Sequence, residues 1–364
     1  MKTQKRPKSD RRDFRRDYLR ARIGSYAHLI QAVAYNRLRL VPFPRAAHFV
    51  ITFRCNGRCR YCDIWKREPT PEMTTEEVKK IVARLRCLDI IKIIGGEPTL
   101  RRDLPELVKY IRDTINPYIA QVGSNGLLPA KLEELAEEAA WPGLTIRLSL
   151  DGLRERHNEM RGREDSFDQA MESLDRLLKV RARKPFKIGI NFNVTDQTLA
   201  DYLPLKEMAR KRKIDFIPGI PVKPFLDAKG VTSPEKKTIL LAMKEAAGKD
   251  LIGQQIDNKK NYSFWERWFL AHTDDLIFKN LLRPKHSLKF RCMELRSLIY
   301  ILTNGDVVTC GLDHKKVGNL LEESLDNIWF SQRARSFRKR VDECPGCLQS
   351  AIQILSRLYS ASLR

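Results

Sequence analysis

Six short apolar runs, each followed by a charge-rich helical segment, predict an α/β protein on a parallel sheet, either doubly wound or a partial barrel. Polar and Gly-rich residues gather where the strands should end, which is where both architectures bind ligands. The rhythm stops after Pro221, where a helical, aromatic-rich stretch and then a cysteine-bearing hairpin take over.

In chain order, residues 1–46 read as a basic N-terminal extension. Within it, Leu19, Ile23, Tyr26, Ile30 and Val33 approximate one helical face, until Pro42 and Pro44 end the segment. Such a face either lies on an anionic membrane or packs on the main domain. Residues 47–221 carry the βα rhythm. Strands are expected at 47–53, 89–94, 119–124, 144–150, 186–194 and 214–220, with helices at 74–88, 104–115, 130–140, 167–180 and 199–212. The first of these helices opens on the capping box Thr74-x-x-Glu77. Residues 222–289 read as an insertion in which Trp265, Trp268 and Phe269 share a face, either core or the wall of a substrate pocket. Residues 290–364 hold a hairpin, 298–303 with 306–309, joined by Asn304-Gly305, the dipeptide suited to a two-residue type I′ turn. A closing amphipathic helix is expected at 348–363.

The 364 residues are 42% apolar, enough for a sizeable core and too many for a disordered chain. No run reaches the roughly 18–20 apolar residues of a membrane span, and no secretory h-region opens the chain. Asp10, Asp13 and Asp17 interrupt the basic start, against a transit peptide. These features predict a cytoplasmic protein whose eight cysteines stay as thiols or bind metal. The net charge of +23 points to an anionic partner. With much of it before residue 40, contact through residues 1–40 with the inner face of an anionic membrane is one expectation. Nucleic acid is disfavoured, because no basic stretch interleaved with stacking aromatics follows the N-terminus.

Cys55, Cys59 and Cys62 crowd three thiols into eight residues after the first strand. A structural zinc site takes four protein ligands, so this trio suggests a metal centre left open at one position. Cys292, Cys310, Cys344 and Cys347 can close either a zinc site or a cubane cluster. Cys87, alone in a predicted helix, reads as packing. The other strand ends carry Gly95-Gly96-Glu97-Pro98, Ser124-Asn125-Gly126, Ser149-Leu150-Asp151-Gly152, and Asn191 with Asn193.

The CxxxCxxC trio with Tyr61 before its last cysteine, and Gly95 to Pro98 one βα unit later, resemble the radical S-adenosylmethionine (radical SAM) superfamily. The resemblance covers approximately residues 47–221 and implies a partial (β/α)6 TIM-like barrel. Cys292, Gly305 and Cys310 are similar to the opening element of a twitch domain, the shortened relative of SPASM domains, here a small hairpin-plus-helix unit with an auxiliary cluster. The family implies a 4Fe–4S cluster on Cys55, Cys59 and Cys62 whose free iron chelates S-adenosylmethionine, and a second 4Fe–4S cluster on the C-terminal cysteines. It also implies reductive cleavage to a 5′-deoxyadenosyl radical that abstracts a substrate hydrogen. Cofactor contacts implied are Gly95, Gly96, Glu97 and Pro98 at the methionine end, Ser149 and Arg161 at polar groups, Asn193 at the ribose or carboxylate, and the Tyr61 backbone at adenine. An oxidation or bond-forming step on a small-molecule, lipid-linked or peptide substrate follows, with flavodoxin or ferredoxin as electron donor. RNA modification, or a non-catalytic iron–sulfur or zinc protein, are the competing readings.

Overall fold

The computed structural model describes residues 9–219 and 292–342, apart from 39, 69, 86–87 and 312–313. The aromatic insertion, Cys87, Cys344, Cys347 and the closing helix expected at 348–363 lie outside the described residues. Helix α1 (Ser9–Arg37) leads into β1 (Ala46–Thr52). Then follow α2 (Thr75–Arg84), β2 (Ile90–Gly95), α3 (Leu104–Thr114), β3 (Ile119–Ser124), α4 (Pro129–Ala139) and β4 (Leu144–Ser149). Two helices, α5 (Arg154–Arg161) and α6 (Ser166–Arg181), precede β5 (Lys187–Asn193), and α7 (Tyr202–Arg212) precedes β6 (Asp215–Gly219). The C-terminal part gives β7 (Leu298–Ile301), β8 (Asp306–Val308), β9 (Lys316–Asn319), α8 (Leu325–Trp329) and α9 (Gln332–Asp342).

The strand order β6-β5-β4-β3-β2-β1-β7-β8-β9 chooses between the two expected architectures. A doubly wound sheet reverses its strand order at a switch point. Here β1 to β6 succeed one another without reversal, all parallel, as in a barrel left open. Alternation assigns the two faces. Phe49, Ile91, Ile93, Val122, Ile146, Leu148, Ile190 and Phe192 pack outward with the helices in the main core. Their neighbours, among them His48, Lys92, Gln121, Thr145 and Arg147, therefore line the inside. Helix α2 starts on the expected capping box, with Glu77 N donating to Thr74 Oγ1 at 3.3 Å and Thr74 N to Glu77 Oε2 at 2.8 Å.

The hairpin is part of the barrel sheet. β7 pairs parallel with β1, Ala46 opposite Leu298 and Phe49 opposite Ile301. Its turn differs from the expected two-residue type I′. Gly305 N donates to Leu302 O at 3.0 Å, and Gly305 has φ +83 while Asn304 stays out of the positive region. That makes a three-residue loop ending on a left-handed glycine, the type I turn with a G1 bulge.

Helix α1 packs on the main domain, but with the face opposite to the expected one. Ser25 Oγ and His28 Nδ1 reach Asp89 Oδ1, at 3.1 and 2.8 Å, and Tyr18 stacks on Tyr118. Ala32 is buried beside Ala46, Ile90, Met293 and Leu298. Asp89, itself buried before β2, draws polar partners to the base of the barrel, so the apolar stripe Leu19, Ile23, Tyr26 and Ile30 faces outward. Ile23 is 61% and Ile30 71% exposed.

Candidate metal centre at the barrel rim

Cys55, Cys59 and Cys62 occupy the loop after β1, free of disulfides, with Cys59 buried and the other two half-buried. Two neighbours hold this loop. On one side, β2 ends so close to it that a β-carbon on Gly95 would lie 2.1 Å from Thr52 O, and one on Gly96 2.1 Å from Arg54 O. Gly96 N and Glu97 N donate to those same oxygens, each at 2.8 Å. The glycines are thus required by the approach of β2 to the cysteine loop, a role that the sequence reading did not give them. On the other side, Arg58 N and Arg60 N donate to the carbonyls of Arg161 and Met160, at 3.1 and 3.0 Å, at the end of α5. Helix α5 was not expected from sequence, since its stretch lacks an apolar period.

Glu97 is fully buried under the rim. Its Oε1 accepts from Thr99 N (3.1 Å), Thr99 Oγ1 (2.6 Å) and Ser124 Oγ (2.9 Å), and its Oε2 from Asn125 N (2.6 Å). It thereby joins the GGEP turn, which continues into Pro98, to the end of β3. Burial pushes its carboxyl upward in pKa despite these donors. Asn125 Nδ2 in turn donates to Asn56 Oδ1 at 2.8 Å, inside the cysteine loop.

A second buried carboxylate, Asp151, organises the opposite side. Its Oδ2 accepts the Tyr61 hydroxyl and pairs with Arg161 at 2.6 Å. Its Oδ1 accepts from Asn193 N and Nδ2 at 3.0 and 3.1 Å. The Arg161 guanidinium lies over the Tyr61 ring and donates to Cys59 Sγ at 3.4 Å. Burial would lower the Arg161 pKa, but Asp151, Tyr61 and Cys59 raise it overall, so the cation is fixed. His157 Nδ1 accepts from Asp151 N at 3.0 Å, and burial, with Arg161 close by, lowers its pKa to about 3, leaving the imidazole neutral. Tyr61, Arg161 and Asn193 therefore come together, as residues of one rim should, and they do so on Asp151. Asp151 stands out in the sequence only as part of a strand-end motif; the signal for its role is an acid directly after a parallel strand. Ser149 pairs with Asn191 in the ladder.

The donor set fits an iron–sulfur cluster. Among the described residues no three His, Cys, Asp or Glu side chains gather tightly enough for one metal ion. The Cys55 and Cys59 sulfurs gather around Gly57, 3.7 and 3.6 Å from where a β-carbon on it would be. Gly57 N (3.4 Å) and Arg161 direct N–H groups at these sulfurs, the interaction that tunes cluster potentials. Burial pushes the Cys55 thiol up to about 11 and raises Cys62 as well, so both wait for a cationic centre to deprotonate them.

Residues 49–221 match the model of the Radical SAM superfamily, and residues 292–348 match SPASM, an iron-sulfur cluster-binding domain. The chain thus carries a radical SAM domain followed by a SPASM domain. It is 32% identical over 172 residues to Fe-coproporphyrin III synthase of Methanosarcina barkeri, an alignment covering 46% of this chain and 41% of that protein. It is 35% identical over 147 residues to GTP 3′,8-cyclase of Chlorobaculum tepidum, covering 38% and 42%. The chain thus spans less than half the length of these curated relatives. Streptococcus suis SuiB bound to precursor peptide SuiA shares the fold, with TM-score 0.60 and 17% identity over 84% of this chain and 69% of that one. The cofactors of the radical SAM and SPASM domains are a 4Fe–4S cluster, S-adenosylmethionine and an auxiliary iron–sulfur cluster. Of the auxiliary ligands expected from sequence, Cys292 and Cys310 are described, both half-buried, before β7 and after β8.

Proposed function

We propose that this radical SAM enzyme binds S-adenosylmethionine across the rim, cleaves it reductively and takes a hydrogen atom from its substrate, in an oxidation or bond-forming reaction. When bound, the cluster and S-adenosylmethionine supply the electron and the 5′-deoxyadenosyl radical. The protein's own residues position and exclude water. Cys55, Cys59 and Cys62 hold the cluster with one iron open. Glu97, whose Oε2 accepts only Asn125 N among the described residues, has a lone pair for the cofactor's amino group. Ser149 offers its hydroxyl, and Arg161, held by Asp151, offers charge to the carboxylate. Flavodoxin or ferredoxin would deliver the electron. The auxiliary cluster on Cys292, Cys310, Cys344 and Cys347, with no open iron, would carry electrons to or from the substrate.

The observation that carries this reading is the three-thiol loop clamped between the glycine turn of β2 and the end of α5, with a buried carboxylate on each side. Anaerobically reconstituted protein, reduced with dithionite and given S-adenosylmethionine, should release 5′-deoxyadenosine and methionine. Fully loaded protein that releases none would sink the reading.

A second property is supported by α1. No helix among the described residues is long and apolar enough to cross a membrane. The outward stripe of Leu19, Ile23 and Ile30, flanked by exposed Arg16 and Arg20, suits the surface of an anionic bilayer. Vesicles rich in phosphatidylglycerol should float the protein and should fail to float the Leu19→Ser/Ile23→Ser/Ile30→Ser variant; equal flotation of both discards the membrane contact.

A further inference from the structure

Below the rim the barrel interior is basic, and the ladder pairings show how. His48, Lys92, Gln121, Thr145 and Lys187 form one continuous row across β1 to β5. The next row up runs Gly123, Arg147, Gly189, Asp215 across β3 to β6. Arg147 is thus flanked on both sides by glycine. A β-carbon on Gly123 would meet nothing within 4 Å, whereas one on Gly189 would press on Asp215 Cβ at 3.3 Å and Asp215 O at 3.4 Å and touch Arg147 Cγ at 3.5 Å. The second row keeps open space on the Gly123 side of the guanidinium.

We propose that Lys92 and Arg147 form an anion subsite in the barrel lumen, which takes a carboxylate or phosphate of the substrate while the carbon to be attacked stays at the rim. The proposal rests on the radical SAM reading, since it places the substrate beneath that site. Lys92 lies three residues before Gly95, about 10 Å along the strand at roughly 3.3 Å per residue. That is a length a small anionic substrate spans.

The electrostatics supports this placement. Burial, then the charge of Arg147, lowers the Lys92 pKa to about 7, and no carboxylate among the described residues offsets either effect. Lys187, in the same row, differs: it feels Asp215 and lies over the Tyr118 ring at 5.7 Å. His48, next to Lys92, is neutral, its pKa brought to about 3 by burial and Lys92, and its Nε2 has no partner among the described residues. A bound anion would restore the Lys92 charge and could accept from His48. Beside this patch, on β1, β2 and the hairpin, the surface is apolar, with Val50, Tyr300 and Val308 packed against Phe53, Ile94 and Leu302. The lumen therefore suits a molecule with one anionic end and one apolar side.

The test uses the full-length reconstituted protein at constant ionic strength, with thermal melting followed during titration with phosphate, pyrophosphate or succinate. At least one of these should raise Tm saturably in wild type and in Lys92→Arg. In Lys92→Met the rise should vanish, and in Arg147→Gln the midpoint should weaken at least 10-fold. Lys109→Met, at an exposed position, should respond as wild type does. A preference for phosphate over succinate, or the reverse, tells which anionic group the substrate carries. If Lys92→Met does not fold, Arg147→Gln decides alone. Equal responses in wild type and the lumen variants, or no response of wild type to any of the three anions, overturn the proposal. Release of 5′-deoxyadenosine by the same wild-type samples is scored separately, so failure of the radical SAM reading is seen independently.

Discussion

At the rim of the barrel, Asp151 and Glu97 are fully buried carboxylates, and both are matched: one by Tyr61, Arg161 and Asn193, the other by Thr99, Ser124 and Asn125. A few residues lower in the same strands, Lys92 is a half-buried cation, desolvated within the lumen, with another cation as its neighbour and no carboxylate acting on it among the described residues. A buried charge is tolerable when hydrogen-bonded and paired, and costly when not. The rim is accordingly finished by the protein itself and holds its geometry in advance of any cofactor. The lumen carries an unbalanced charge that a ligand would balance.

The comparison can be broken most severely at the rim. Replacing Cys59 with alanine removes a cluster ligand and the acceptor of Arg161. Iron content should fall by about four per chain and 5′-deoxyadenosine should drop below detection; near-wild-type iron would show that Cys59 is not a ligand. Asp151→Asn tests whether the paired network matters beyond the thiols. Removing one member of a buried ion pair costs about 3–5 kcal/mol, so Tm should fall. Because Arg161 would lose its anchor, the electron paramagnetic resonance signal of the reduced cluster should shift, and S-adenosylmethionine should bind at least 10-fold more weakly. An unchanged spectrum and affinity would reduce Asp151 to a packing role.

The lumen should respond in the opposite direction, and more gently. A lysine whose pKa is lower folded than unfolded destabilises the fold wherever the unfolded chain holds the proton more tightly. For Lys92 that penalty is full below about pH 7 and disappears as pH rises towards the ordinary lysine value of 10.5. Lys92→Met should therefore melt higher than wild type at pH 7, without added anions, by a few degrees, and this gap should close as pH approaches 10. A gap that is constant or widens would mean that Lys92 is not the unbalanced charge.

The mismatch between helix α1 and its periodicity has the same origin. The apolar spacing of Leu19, Ile23, Tyr26 and Ile30 was legible, but Asp89, more than fifty residues away, claims Ser25 and His28 and turns the stripe outward. Helix α5 was illegible because nothing in Arg154–Arg161 repeats; it is fixed by its own helical ladder and by the backbone contacts of its last turn with the cysteine loop.

The sequence by itself determined the βα rhythm, the capping box of α2, the hairpin and the three-thiol loop, because helix and strand periods, caps and turns are written within about ten residues. Tertiary structure alone decided that β7 joins β1, that Gly95 and Gly96 make room for the cysteine loop, and that Asp151 gathers Tyr61, Arg161 and Asn193. It also set Lys92 within reach of Arg147's charge. Those outcomes depend on which strands become neighbours and in what register, and residues far apart in the chain carry no local sign of the charge or carbonyl they will face.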